Sequence, residues 1–144
     1  MSIPPLPPSA PPPTPNIDAP DFNPYLALGG EQGLDRMVRR FYVLMDTDPA
    51  YRELRQTHAD LERARERLFE FLSGRLGGPN LYIERHGHPR LRARHMPFAI
   101  GPRERDQWVD CMNRAMQDSG VAPDLRQLIG QFFAGVAAHM QNRP

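Results

Sequence analysis

Apolar residues recur at three- and four-residue steps in four stretches of the chain, and the breaks between those stretches lay out its architecture. Leu34, Met37, Val38, Phe41, Tyr42 and Met45 share one helical face, which predicts an amphipathic helix over about 31–46. Gly29-Gly30 frees the backbone for a sharp corner ahead of it, and Asp48-Pro49 ends it, because a residue before proline avoids helical angles. Leu61, Ala64, Leu68, Phe71, Leu72 and Leu76 make a second stripe over about 60–76, with Asp60 as N-cap and Gly77-Gly78-Pro79 as stop. Trp108, Cys111, Met112, Ala115 and Met116 mark a third helix, about 102–118, opened by Gly101-Pro102 and closed by Ser119-Gly120. The last, about 123–141, starts at Pro123-Asp124 and carries Leu125, Leu128, Ile129, Phe132, Phe133, Val136, Ala137 and Met140. No segment shows the period-two alternation of a strand. The pattern predicts an all-α protein with four main helices.

Two connections stand out between these helices. Residues 50–59 read as a turn-rich link containing Tyr51 and His58. Residues 77–98 form a long basic connection with His86, His88, His95 and four arginines, interrupted by one short helical piece from Pro89 to His95. Long connections inside a small domain carry function more often than they merely join elements.

Composition narrows the picture. Ten of the 17 prolines fall in residues 1–24, so that segment reads as a disordered proline-rich tail outside the core. Its Pro4-x-x-Pro7 and Pro5-x-x-Pro8 spacings suit an aromatic-grooved module. The remaining residues, 25–144, suffice for one domain burying about two-thirds of its unfolded surface. A net charge of +1 gives no global attraction to nucleic acid or membrane. The start of the chain has neither the basic nor the apolar run of a signal peptide, and no stretch is apolar enough to span a bilayer. A single cysteine, Cys111, excludes an internal disulfide framework and fits a reducing, cytoplasmic setting.

The histidines are the candidate chemistry. His139, near the end of the last helix, suits the helix dipole. His86-Gly87-His88 beside Glu84 has part of a zinc pattern, but no further cluster completes four ligands. His95 follows Leu91 by one helical turn and precedes Pro97, with Met96 and Phe98 adding apolar surface. That setting suits an imidazole held under a haem, with Arg67, Arg92 and Arg94 as cations for its propionates. On spacing alone a lone histidine of this kind is more often structural, and the residue chemistry does not decide between the two.

The run Gly77-Gly78-Pro79-x-Leu81-Tyr82, then His86-Gly87-His88-Pro89-Arg90-Leu91-Arg92-Ala93-Arg94-His95-x-Pro97-Phe98, resembles the group II truncated haemoglobins. So do Leu28-Gly29-Gly30 leading to Phe41-Tyr42, and Asp106-x-Trp108-x-x-Cys111-Met112. The likeness covers about residues 25–142 in order. It implies a two-over-two helical sandwich holding haem b, with His95 as the proximal iron ligand. It further implies Tyr82 and Arg67 at the haem or its propionates, and Ala64 and Leu68 over the iron.

On the opposite face the resemblance puts Tyr42, His58 and Trp108, with Tyr51 as the alternative to His58. O–H and N–H donors there suit a diatomic ligand that takes up negative charge. Ala64, being small, implies an open side entrance, and Arg75 stands where the family leads one to expect an aromatic. The function implied is reversible binding of dioxygen and related diatomics by a monomer or homodimer. The alternative is a haem enzyme acting on peroxide or nitric oxide with a separate reductase, since no nucleotide-binding G-x-G-x-x-G follows a strand. A third reading, a helical adaptor using the arginines and the tail, implies no haem at all.

Overall fold

A computed structural model describes residues 17–144, so the Pro-x-x-Pro motifs and the tail up to residue 16 lie outside the described residues. The four helices expected from the pattern are all present: α2 (Gly30–Thr47), α4 (Leu61–Arg75), α7 (Pro102–Asp118) and α8 (Pro123–Met140). Four short helices complete the order: α1 (Pro24–Ala27), α3 (Arg52–Gln56), α5 (Leu81–His86) and α6 (Leu91–His95). No strand occurs among the described residues. α2 pairs with α4, α7 pairs with α8, and α2 packs across α7, which makes two helical layers of two.

The long helices begin and end where the local chemistry dictates. Gly29 takes a left-handed φ of 104° at the head of α2. One turn later, a Cβ on Gly33 would lie 1.8 Å from the Leu28 carbonyl oxygen, so only glycine lets the chain fold back this closely. Asp60 caps α4 by accepting the Arg63 N–H at 3.1 Å. Its other end is a Schellman turn in which Gly78 N–H reaches the Ser73 carbonyl at 2.8 Å. Arg75 stacks its guanidinium 5.6 Å from the Phe132 ring centroid, so the cation at this expected aromatic position still covers apolar surface.

Leu34, Met37, Val38 and Phe41 of α2 are fully buried against Cys111, Met112, Ala115 and Met116 of α7 and Leu125, Ile129 and Phe133 of α8. Each such side chain contributes about 1.5–3 kcal/mol relative to an exposed one. Cys111 donates its thiol to the Phe41 carbonyl at 3.3 Å, and burial pushes its pKa up to about 12. Such a thiol is inert, as a helix-face position in the core implies.

Three details depart from the sequence reading. The 50–59 link is ordered as a 3-10 turn, Pro49–Tyr51, followed by α3. Asp48 nucleates it by accepting the Ala50 N–H at 2.9 Å. Residues 81–86, expected as loop, form α5, whose six residues are too few to reveal a helical period. The end of the proline-rich segment joins the domain: Phe22 packs on the core, and Asn23 caps α1 and donates to the Gly77 carbonyl at 3.0 Å.

Candidate functional site

The 77–98 connection folds as two short helices joined by a strained corner. Gly87 ends α5 with φ 80°, and Arg90, a residue with a side chain, takes φ 46° immediately before α6. His88 Nδ1 supports that corner by accepting the Arg90 N–H at 3.2 Å. α6 then carries His95 at its last position. The His95 Nδ1 donates to the Leu91 carbonyl at 2.6 Å. A carbonyl only accepts, so the proton sits on Nδ1, and Nε2 of the neutral ring keeps its lone pair. Asn142, beyond the end of α8, braces the turn from outside. Its amide donates to the His95 carbonyl at 3.1 Å and the Phe98 carbonyl at 2.9 Å, while its oxygen accepts the Ile100 N–H at 3.0 Å.

Tyr42 and His58 face each other from α2 and the link before α4, and Trp108 of α7 adjoins Phe41, the neighbour of Tyr42. Tyr42 lies in T-shaped contact with the Phe41 ring at 4.9 Å and faces the His58 ring at 6.0 Å. Trp108 is wedged between Phe41 at 5.5 Å and Phe133 at 5.4 Å. Neither the Tyr42 hydroxyl nor the Trp108 indole N–H is hydrogen-bonded to a described residue, and burial raises the Tyr42 pKa far above its ordinary value. Both stay protonated donors. Tyr51, the alternative to His58, is committed elsewhere: its hydroxyl donates to Asp110 at 2.7 Å.

His58 donates from Nδ1 to the Leu54 carbonyl at 3.0 Å, so its Nε2 is the acceptor. Burial pulls its pKa below the usual imidazole value, opposed by that bond and reinforced by Arg55 and by His95. A depressed folded pKa gives stability that is complete above about pH 6.5 and is lost as pH falls through the lower folded value. Melting curves at about pH 7.5 and about pH 5 test this. The wild type should lose more stability on acidification than His58→Gln does, and equal losses would rule the buried neutral ring out.

The apolar flanks around this region belong to Leu61, Ala64 and Leu68 of α4, Leu91 of α6 and Trp108 of α7, each packed on the core yet only half-buried. Tyr82 is buried with its ring 4.9 Å from that of His86, and the Arg94 guanidinium sits 5.9 Å from the Tyr82 centroid. Arg67 abuts His86 Nε2 and lies 3.9 Å from Glu70, a buried carboxylate that accepts from His86 at 2.7 Å. Arg92 instead caps α8, donating to the His139 carbonyl at 2.6 Å. Arg67 and Arg94 therefore share the Tyr82 side, whereas Arg92 is engaged with the end of α8.

Residues 23–142 match the family model described as bacterial-like globin. The group 2 truncated haemoglobin YjbI of Bacillus subtilis is 38% identical over 123 residues, covering 85% of this chain and 91% of the relative. The chain is a group II truncated globin. Among solved structures, the cold-adapted truncated haemoglobin of Pseudoalteromonas haloplanktis superposes with a TM-score of 0.81 at 46% identity, covering 85% of this chain and 100% of that one. The group II two-on-two haemoglobin of Agrobacterium tumefaciens gives 0.83 at 41% identity, covering 89% and 100%.

As a globin the chain is a haem protein, and its donor set fits that cofactor. One imidazole is locked with a bare Nε2, half-buried apolar flanks adjoin it, and cations stand to one side. Sequence reasoning missed two supports of this arrangement. Asn142 lies 47 positions from the carbonyl it braces, with nothing local to announce it. The Leu54 carbonyl that sets the His58 tautomer is backbone, and is silent in any motif.

Proposed function

We propose that the protein holds haem b through His95 Nε2 and reversibly binds dioxygen, and related diatomics, on the face carrying Tyr42, Trp108 and His58. The haem, when bound, supplies an iron with an open position for a diatomic ligand. His95 contributes a neutral imidazole whose orientation and basicity are set by the Leu91 carbonyl. That hydrogen bond is the observation that carries the reading, because it leaves one nitrogen free and points it by a local, rigid contact.

On the distal face the Tyr42 hydroxyl and the Trp108 indole N–H hold unshared protons, which favour a polar diatomic over an apolar one. His58, with its proton on Nδ1, presents Nε2 as an acceptor and not as a donor to the ligand. Ala64 and Leu68 supply apolar surface without a hydrogen bond, and the small Ala64 leaves a side entrance open. Arg67 and Arg94 beside Tyr82 are the cations for the propionates. Arg92 serves them less directly, since its Nη1 already holds the α8 terminus.

The test is an absorption spectrum. Protein given haem and then reduced should show a ferrous five-coordinate spectrum that changes to distinct oxy and carbonmonoxy forms, and the oxy form should revert when oxygen is removed. Protein that takes up no haem, or whose ferrous form does not respond to oxygen, refutes the proposal.

A further inference from the structure

One edge of α7 is a polar stripe at helical spacing: Arg103, Gln107, Asp110 and Arg114. Every member grips the segment 48–54. Arg103 meets Glu53 at 3.4 Å, Asp110 accepts the Tyr51 hydroxyl at 2.7 Å, and Arg114 donates to Asp48 at 2.6 Å and to the Tyr51 hydroxyl at 3.0 Å. Gln107 makes the two contacts nearest the distal face. Its Nε2 donates to Glu53 Oε2 at 2.7 Å and its Oε1 accepts the Leu54 N–H at 3.0 Å, so the orientation of its amide is fixed by both partners. The Gln107 amide also holds the Glu53 carboxyl below the usual range.

Leu54 is the hinge of this arrangement. Its side chain is 5% exposed, its N–H is taken by Gln107, and its carbonyl receives Thr57 Oγ1 at 2.7 Å and His58 Nδ1 at 3.0 Å. The N–H and the carbonyl of Leu54 belong to consecutive peptide units joined at its Cα, so a displacement of this residue moves the acceptor that selects the His58 tautomer.

We propose that Gln107 is a positioning residue for the distal face: its amide anchors the Leu54 backbone, which keeps the His58 proton on Nδ1 and so leaves His58 Nε2 an acceptor instead of a donor. This deepens, and rests on, the haem reading above. Loss of the clamp acts through one hydrogen bond at the ligand and so changes dioxygen release by about fivefold.

The experiment exploits the fixed donors and acceptors. Gln107→Glu keeps an acceptor for the Leu54 N–H but replaces the donor to Glu53 with a second carboxylate, whose repulsion pushes the side chain away and loosens the clamp. Combined with Glu53→Gln, the same change exchanges donor and acceptor and rebuilds both contacts, including the one to the Leu54 N–H. Three quantities are read on the full chain: the nitrogen chemical shifts of the His58 ring with and without haem, the C–O stretching band of the carbonmonoxy form, and the rate of dioxygen release. Gln107→Glu should mix the His58 tautomers, shift or broaden the band and change the rate about fivefold, and the paired exchange should return all three towards wild type. In a His58→Ala background Gln107→Glu should move neither band nor rate. Wild-type His58 shifts in Gln107→Glu, failure of the pair to restore them, or an undiminished effect without His58 would each overturn the proposal. Failure of the haem reading shows separately, as a wild-type protein that takes up no haem.

Discussion

Replacing His95 with alanine should lower haem affinity by about a hundredfold or more, beyond the roughly 10–100-fold that losing a supporting partner of a metal ligand costs. No other histidine is free to take its place. His86 is bound to Glu70, His88 supports the Arg90 corner, and His139 is exposed on α8. His58 is tied through Nδ1 to the Leu54 carbonyl and packs beside Tyr42. The apolar flanks still attract the porphyrin, so the measurement is the ferrous spectrum and the rate of haem transfer to an acceptor globin, not haem colour alone. Added imidazole should restore the ferrous spectrum by filling the space left behind. If His95→Ala keeps a normal ferrous spectrum without imidazole, the iron is held elsewhere.

Trp108→Phe and Tyr42→Phe should each speed dioxygen release by roughly 10–100-fold, the range expected when a hydrogen bond to a partly charged group, about 1.5–3 kcal/mol, is removed. Phenylalanine preserves the ring contacts of Trp108 with Phe41 and Phe133, and that of Tyr42 with Phe41, so the substitutions isolate the donors from the packing. Carbon monoxide takes up less charge, and its release should change much less in both variants. That contrast separates a lost hydrogen bond from a widened pocket. If dioxygen release is unchanged in both, no donor network exists on this face.

The four long helices were legible because each combines a full apolar stripe with strong stop signals, such as Asp60 at the start of α4 and Gly77-Gly78 at its end. Helices of four to six residues complete barely one turn, so α1, α3 and α5 left no period to read. The candidate site followed a similar division. His95, Tyr42 and Trp108 stood out through the family motifs and helical register. The state of each ring did not, because it depends on carbonyls of Leu91 and Leu54 that any side chain would supply equally. The cations proposed for the propionates show the same limit. Arg67, Arg92 and Arg94 are chemically alike in the sequence, and only the packing of α6 against α8 turns Arg92 away towards His139.

The Asn142 brace has a consequence for how the molecule is made. The imidazole-bearing turn around residue 95 is finished by an amide supplied 47 positions downstream. During synthesis on a ribosome, α2, α4 and α6 emerge long before that amide does. The turn is therefore locked only after α8 has been delivered, and a porphyrin captured earlier would meet a looser, more easily vacated seat. If His95 holds the haem as proposed, cofactor loading would be a closing event of biogenesis, with the last helical layer acting as its latch.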